Sequence, residues 1–248
     1  MTASAPLPHG SSVSAEEIAR FSAMARDWWN PRGPMRPLHA MNGPRIAWAQ
    51  KHLAPLADAR GGQLHVLDLG CGAGLASEAL ARCGHRVLGI DASADGIAAA
   101  RAHLAEHPLP DGADALTYDH ASAETLIARG ARFDAVTAFE IIEHVTDPAI
   151  FMKMIADLLL PGGRAVVSTM NRTLRSLAIA KIGAEYVARL LPRGTHDWRK
   201  FVTPAELGQY ARGAGLRMID VRGLTWRPNA WQESRDLAVN YIAVMTRD

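Results

Sequence analysis

A doubly wound parallel α/β sheet is the fold this sequence predicts, on three observations. The apolar run at residues 66–69 ends in Gly70, Gly72 and Gly74, and the helix-forming residues 75–80 follow at once. A second run, Arg86 to Asp91, ends in an acid roughly 20 positions past the first glycine. Further short apolar runs then alternate with stretches of helical periodicity as far as residue 170. The 248 residues suit one large domain, and 48 % hydrophobic with 21 % charged content is ordinary for a globular chain. A net charge of +2 carries no nucleic-acid signature, so no such partner is expected. Cys71 and Cys83 make neither a disulfide framework nor a zinc spacing. With no apolar run of about 18 residues and no signal-like N-terminus, a cytoplasmic location is expected.

Residues 1–13 are small, polar and proline-punctuated, and are expected to form a disordered leader. Ser14, Glu16 and Glu17 open a capping-box sequence, and Ile18, Phe21, Met24 and Ala25 recur at helical spacing toward Trp28 and Trp29. Residues 30–34 break this helix. A second helix carries Leu38, Met41, Ile46, Trp48 and Leu53 to the glycine turn at 61–62. Residues 14–60 are thus expected to cap a cleft in the domain at 61–248. Trp28 and Trp29 either pack that cap on the core or meet a substrate.

The turn at 70–74 is built to hold a ligand, because glycine permits positive φ and close approach of the backbone. A dinucleotide fingerprint needs its third glycine where Leu75 stands, so a neutral nucleoside joined to an amino acid fits better than a pyrophosphate. A right-handed βαβ unit sets the carboxyl ends of neighbouring strands side by side. Asp91 can there accept both ribose hydroxyls; its alternative role is to cap the following helix. Residues 115–118 make a third strand, and the loop at 119–124 borders an adenine site.

Phe133 to Phe139 is a fourth strand, followed by Glu140, Glu143 and His144. If these share one helical turn, they converge at i,i+3 and i,i+4. Two carboxylates and an imidazole can bind a divalent cation, act as a general base, or order the loop by hydrogen bonds. Asp147 and Pro148 start another helix, and residues 164–170 form a fifth strand. The insertion at 171–200 is longer than an ordinary loop. Its apolar residues from Leu174 to Leu191 recur at helical spacing, and Arg172, Arg175, Lys181, Arg189, Arg193, Arg199 and Lys200 outnumber Glu185 and Asp197. Such a basic amphipathic helix can lie on an anionic membrane, close over an apolar substrate, or pack on its own domain. Thr203, Pro204 and Glu206 open a further helix, and strands around 218–224 and 239–245 end the chain, with Trp226 and Trp231 between them.

Several blocks carry a resemblance: Asp27-Trp28-Trp29, residues 66–74, residues 89–91, residues 140–148, Ser168-Thr169-Met170-Asn171-Arg172, Gly183-Ala184-Glu185-Tyr186, Gly194-Thr195-His196-Asp197 and Val239-Asn240-Tyr241. With them the chain resembles the class I S-adenosylmethionine (SAM) methyltransferases, and among these the ubiquinone-biosynthesis O-methyltransferases. The resemblance implies a seven-stranded sheet with an antiparallel last strand, to which the N-terminal cap helices and the helical insertion after strand 5 are added. It implies SAM held by Arg45, Gly70, Asp91 and Phe139, with Gly72 in the same turn. It implies a divalent cation at Glu140, Glu143 and His144, Mg²⁺ foremost, with Mn²⁺ or Zn²⁺ also suited by the histidine; the alternative is that Glu143 or His144 accepts the phenol proton directly. The implied reaction is methyl transfer to the phenolic hydroxyls of polyprenylated catechols, 2-polyprenyl-6-hydroxyphenol and 3-demethylubiquinol. The implied partners are that substrate, an anionic membrane surface met by 171–200 at the inner face, and other ubiquinone-biosynthesis proteins. The rival readings are a quinone C-methyltransferase, a non-catalytic SAM-binding subunit, and a nicotinamide oxidoreductase.

Overall fold

The structure is a computed structural model that describes residues 15–33, 35–110, 115–178, 197–227 and 230–248. The expected leader at 1–13, and the greater part of the expected basic helix, at 179–196, lie outside the described residues. In chain order the elements begin with α1 (Ala15–Met24), α2 (Arg36–Ala59), β1 (His65–Leu69), α3 (Leu75–Arg82), β2 (Arg86–Asp91) and α4 (Ala94–Glu106). Then come β3 (Leu116–His120), α5 (Ala123–Ala128), β4 (Phe133–Phe139), α6 (Pro148–Leu158) and β5 (Leu159–Met170). The last are α7 (Pro204–Gly213), β6 (Leu216–Arg227), β7 (Ala230–Ser234) and β8 (Asn240–Arg247).

The strands form one sheet in the order β3-β2-β1-β4-β5-β8-β6-β7. The first five in that row run parallel, and β8 enters antiparallel between β5 and β6. Because β2 lies on one side of β1 and β4 on the other, the strand order reverses beside β1, where open α/β sheets leave a crevice for ligands.

Helices cover both faces, so the central strands read as nearly continuous apolar runs rather than alternating ones. Successive side chains go to opposite layers: Val66 joins the core under α2, α3 and α4 with Trp48, Leu53, Leu80 and Ile97. Leu67 joins the other layer, with Leu126, Phe151, Ile155 and Leu207 from α5, α6 and α7. Helix starts follow their caps: Asp147 Oδ1 accepts the Ala149 and Ile150 N–H groups, and Thr203 with Glu206 makes a full capping box.

The sheet has the expected seven strands and antiparallel last strand, and one more. β7 pairs with β6 across a hairpin in which Trp226 and Trp231 stand opposite, ring centroids 6.0 Å apart and edge-on. The segment carrying these tryptophans is therefore a sheet edge, and Trp226 is 56 % exposed. One end of the insertion is fastened just before β8, and the other end is tied to the first. Thr173 Oγ1 donates to the Ala238 carbonyl at 2.6 Å, and Trp198 Nε1 donates back to the Thr173 carbonyl at 2.9 Å. Among the described residues no helix is long and apolar enough to cross a membrane.

Candidate functional site

Gly70, Gly72 and Gly74 all have positive φ, 74°, 55° and 91°, which carries the chain from β1 into α3. They also leave room that is used. A Cβ at Gly70 would sit 2.4 Å from Ile141 Cδ1, and one at Gly72 would sit 2.3 Å from Trp28 Cζ2. Gly72→Ala therefore combines backbone strain with a clash. It should cost about 2 kcal/mol and lower the melting midpoint by about 4–8 °C in calorimetry; an unchanged midpoint would show that Trp28 does not rest on Gly72.

Two acids hold this turn. Asp68 is buried beneath it, accepting Ser77 Oγ from α3 at 2.6 Å and Thr137 Oγ1 from β4 at 2.7 Å. Asp91, at the end of β2, accepts the Gly72 N–H at 2.8 Å and the Ser93 N–H at 2.7 Å. Burial pushes the Asp91 carboxyl upward, and these N–H groups pull it back toward the ionised form. The helix-capping alternative for Asp91 fails, because the cap of α4 is Ser93, whose Oγ accepts the Gly96 N–H.

Beside the turn is a cavity lined by Trp28, Leu38, Arg45, Gly70, Leu75 and Phe139, among others. Arg45 stands over the Phe139 ring at 4.9 Å, with Nη1 3.7 Å from Glu140 Oε1. Burial lowers its pKa, while Glu140 foremost among the nearby acids opposes that shift. The N-terminal segment forms the roof. Trp29 Nε1 donates to the Ala73 carbonyl at 2.9 Å, its ring stacks on His103 at 3.4 Å, and Ser22 Oγ meets Ser93 Oγ at 2.8 Å. The cap thus lies directly on the glycine turn, with Trp28 lining the cavity.

The second cluster departs from expectation. Glu140 is the one described non-glycine residue with positive φ, 56°, a conformation costing about 1–2 kcal/mol. Its N–H donates to the Ser168 carbonyl, Oε1 accepts Ser168 Oγ at 2.6 Å, and Oε2 accepts Asn240 Nδ2 at 3.0 Å. Ile142–His144 is a 3₁₀ turn, whose residues splay by about a third of a circle each. Glu143 turns inward to accept Thr169 Oγ1 at 2.8 Å, and His144 Nδ1 lies 3.2 Å from Glu17 Oε2 of α1. The expectation of a cation at Glu140, Glu143 and His144 is corrected accordingly. Each side chain addresses a different partner, and among the described residues no three His, Cys, Asp or Glu side chains gather as a metal site requires. As held here they do not fit the ion.

What Glu143 does have is an unusual acidity. At 3 % exposure and near Glu140, its carboxyl is pushed up to about 8, with burial the larger cause. Asp68, Ser168, Asn240 and Glu17 complete the site without having been assigned to it from sequence. Ser168 and Asn240 lie in blocks that carried the resemblance, and Asp68 in the run before the glycines. Glu17 read only as part of a helix start.

A crevice at the switch point, an acid at the end of β2 beside the glycine turn, and an antiparallel strand inserted next to β5 are the features of a class I SAM-dependent methyltransferase. Residues 41–221 match the family described as a methyltransferase domain. Ubiquinone biosynthesis O-methyltransferases are similar over nearly the whole length. That of Ruegeria pomeroyi is 43% identical, with 96% of this chain and 98% of the relative covered. That of Caulobacter vibrioides is 43% identical, with 100% of each covered. Among solved structures, Burkholderia thailandensis 1,6-didemethyltoxoflavin-N1-methyltransferase, with bound 1,6-didemethyltoxoflavin and S-adenosylhomocysteine, shares the fold at a TM-score of 0.61 and 18% identity, covering 100% of this chain and 93% of that one. Magnesium protoporphyrin IX methyltransferase from Synechocystis PCC 6803, with bound S-adenosylhomocysteine, does so at 0.57 and 20%, covering 81% and 83%. The chain belongs to the ubiquinone biosynthesis O-methyltransferase family.

Proposed function

We propose that this enzyme methylates the phenolic hydroxyls of polyprenylated catechols, 2-polyprenyl-6-hydroxyphenol and 3-demethylubiquinol, with Glu143 as the proton acceptor. The observation that supports the role of Glu143 is its place, buried in the 3₁₀ turn that follows the strand supplying Phe139 to the donor cavity, with its carboxyl raised to about 8. The relatives' names, which say O-methylation in ubiquinone biosynthesis, support a phenolic acceptor of that pathway. An unaided phenol has a pKa of about 10, so it is mostly protonated near neutrality. A general base works best when its own pKa lies near the working pH, which suits a carboxyl at about 8 better than an ordinary one.

In the reaction the phenol proton passes to the Glu143 carboxylate as the ring oxygen attacks the sulfonium methyl. The new bond is O–C, the broken one is S–C, and S-adenosylhomocysteine leaves as a neutral thioether. Arg45, Gly70, Gly72, Asp91 and Phe139 hold the donor so that the methyl is in line with that oxygen, which is where most of the acceleration arises. His144 is the second residue proposed for the proton, oriented by Glu17. No step is routed through a cation. A short-tailed catechol should be methylated in the presence of chelator, with the rate falling when the acceptor hydroxyl is already a methoxy group. Loss of all turnover in chelator would overturn the cation-free route.

The acceptor's tail partitions into a membrane, and we propose that the insertion at 171–200 meets an anionic surface there. Sedimentation with anionic liposomes should be weakened by salt and by deleting residues 174–191; equal binding by the deletion would remove the insertion as the anchor.

A further inference from the structure

We propose that Asn42 is a donor-binding residue, its amide oxygen receiving the ammonium group on the amino-acid end of SAM. Leu38, Asn42 and Arg45 follow one another at i, i+4 and i+7, so they share one face of α2. Leu38 and Arg45 both line the donor cavity, as do Leu75 and Ala76 at the start of α3. Asn42 bridges these two walls, for its Nδ2 donates to the Leu75 carbonyl at 3.0 Å. That bond settles which end of the amide is which and leaves Oδ1 as the other.

Asn42 is 9 % exposed, and its Oδ1 is buried with no hydrogen-bond partner among the described residues. At Arg45, one helical turn further on, Nε is buried and has no hydrogen-bond partner among the described residues. One face of the helix therefore presents an acceptor without a partner and, a turn away, one N–H of a guanidinium whose Nη1 is engaged by Glu140. Buried polar groups left unpaired are costly, and native structures pair them with protein, water or ligand. A single carbon bearing both an ammonium and a carboxylate satisfies the two at once, the carboxylate on Arg45 and the ammonium on Asn42. SAM ends in such a carbon. The other role on offer is mechanical: Asn42 would do no more than clamp the first residue of α3 through Leu75.

Calorimetric titration with three ligands separates the two roles. They are S-adenosylhomocysteine, its analogue lacking the amino group, and methylthioadenosine, which lacks the whole amino-acid end. The proposal predicts that Asn42→Ala weakens S-adenosylhomocysteine by about tenfold or more, as expected for a hydrogen bond to a charged group. It also predicts that the deaminated analogue and methylthioadenosine change by less than about twofold. Equal weakening of all three ligands, or of none, overturns it. Asn42→Ser, milder for folding, should give the same pattern at smaller size, and a uniform effect there overturns the proposal equally. The proposal rests on SAM as the donor. Failure of the wild-type protein to bind S-adenosylhomocysteine would sink that premise, whereas normal binding with an unselective variant sinks only the role of Asn42.

Discussion

Asp91→Ala should lose affinity for SAM by about 100-fold or more in isothermal calorimetry, the largest binding effect expected of any single substitution in the site. An ionised carboxylate has about four acceptor positions. In this structure two contacts are filled, by the Gly72 and Ser93 N–H groups, so room remains for a ribose diol. Two hydrogen bonds to a charged acceptor, at about 1.5–3 kcal/mol each, account for that loss. Removing the carboxylate also frees the Gly72 N–H, so the turn that shapes the pocket loses its tie to β2. Affinity within about threefold of wild type would mean that the ribose is held elsewhere.

Glu143→Gln should lower kcat by about 10²–10⁴ while leaving SAM affinity within about threefold, since a general base contributes on that scale and the donor does not need it. The same residue makes a stability prediction. Its folded-state carboxyl titrates at about 8, above the ordinary 4.5, so between these values the folded chain keeps a proton that the unfolded chain has lost. Stability therefore falls as pH rises through that window. Glu143→Gln does not titrate, and its melting midpoint should gain on the wild type steadily from pH 5 to pH 8 in scanning calorimetry. A constant gap between the two would place the Glu143 carboxyl in its ordinary range, and the proposed base with it.

The parts of the fold legible in sequence were those fixed by local rules. The strand, glycine turn and helix at 66–80, the acid closing β2, and the caps at Asp147 and Thr203 each follow from backbone geometry within a few residues. β7 was not legible, because Gln232 and Glu233 dilute a five-residue run whose stability comes from pairing with β6 rather than from its own pattern. The cluster at 140–144 misled for a related reason. Its spacing suits an α-helical turn, but Glu140 is left-handed and held by Ser168 and Asn240, and Glu143 in the 3₁₀ turn after it is held by Thr169, all remote in sequence. Asn42 and Glu17 were silent because their partners lie on other elements.

The central claim is that a donor gripped at Asp91 delivers its methyl to an ionised ring oxygen near Glu143. Its most direct measurement is the product formed from SAM carrying a ¹³C-labelled methyl and a short-tailed catechol, read by NMR. The label should appear as an aryl methoxy carbon with wild-type protein and be lost with Glu143→Gln. Label on a ring carbon, or equal methoxy formation by the variant, would contradict it.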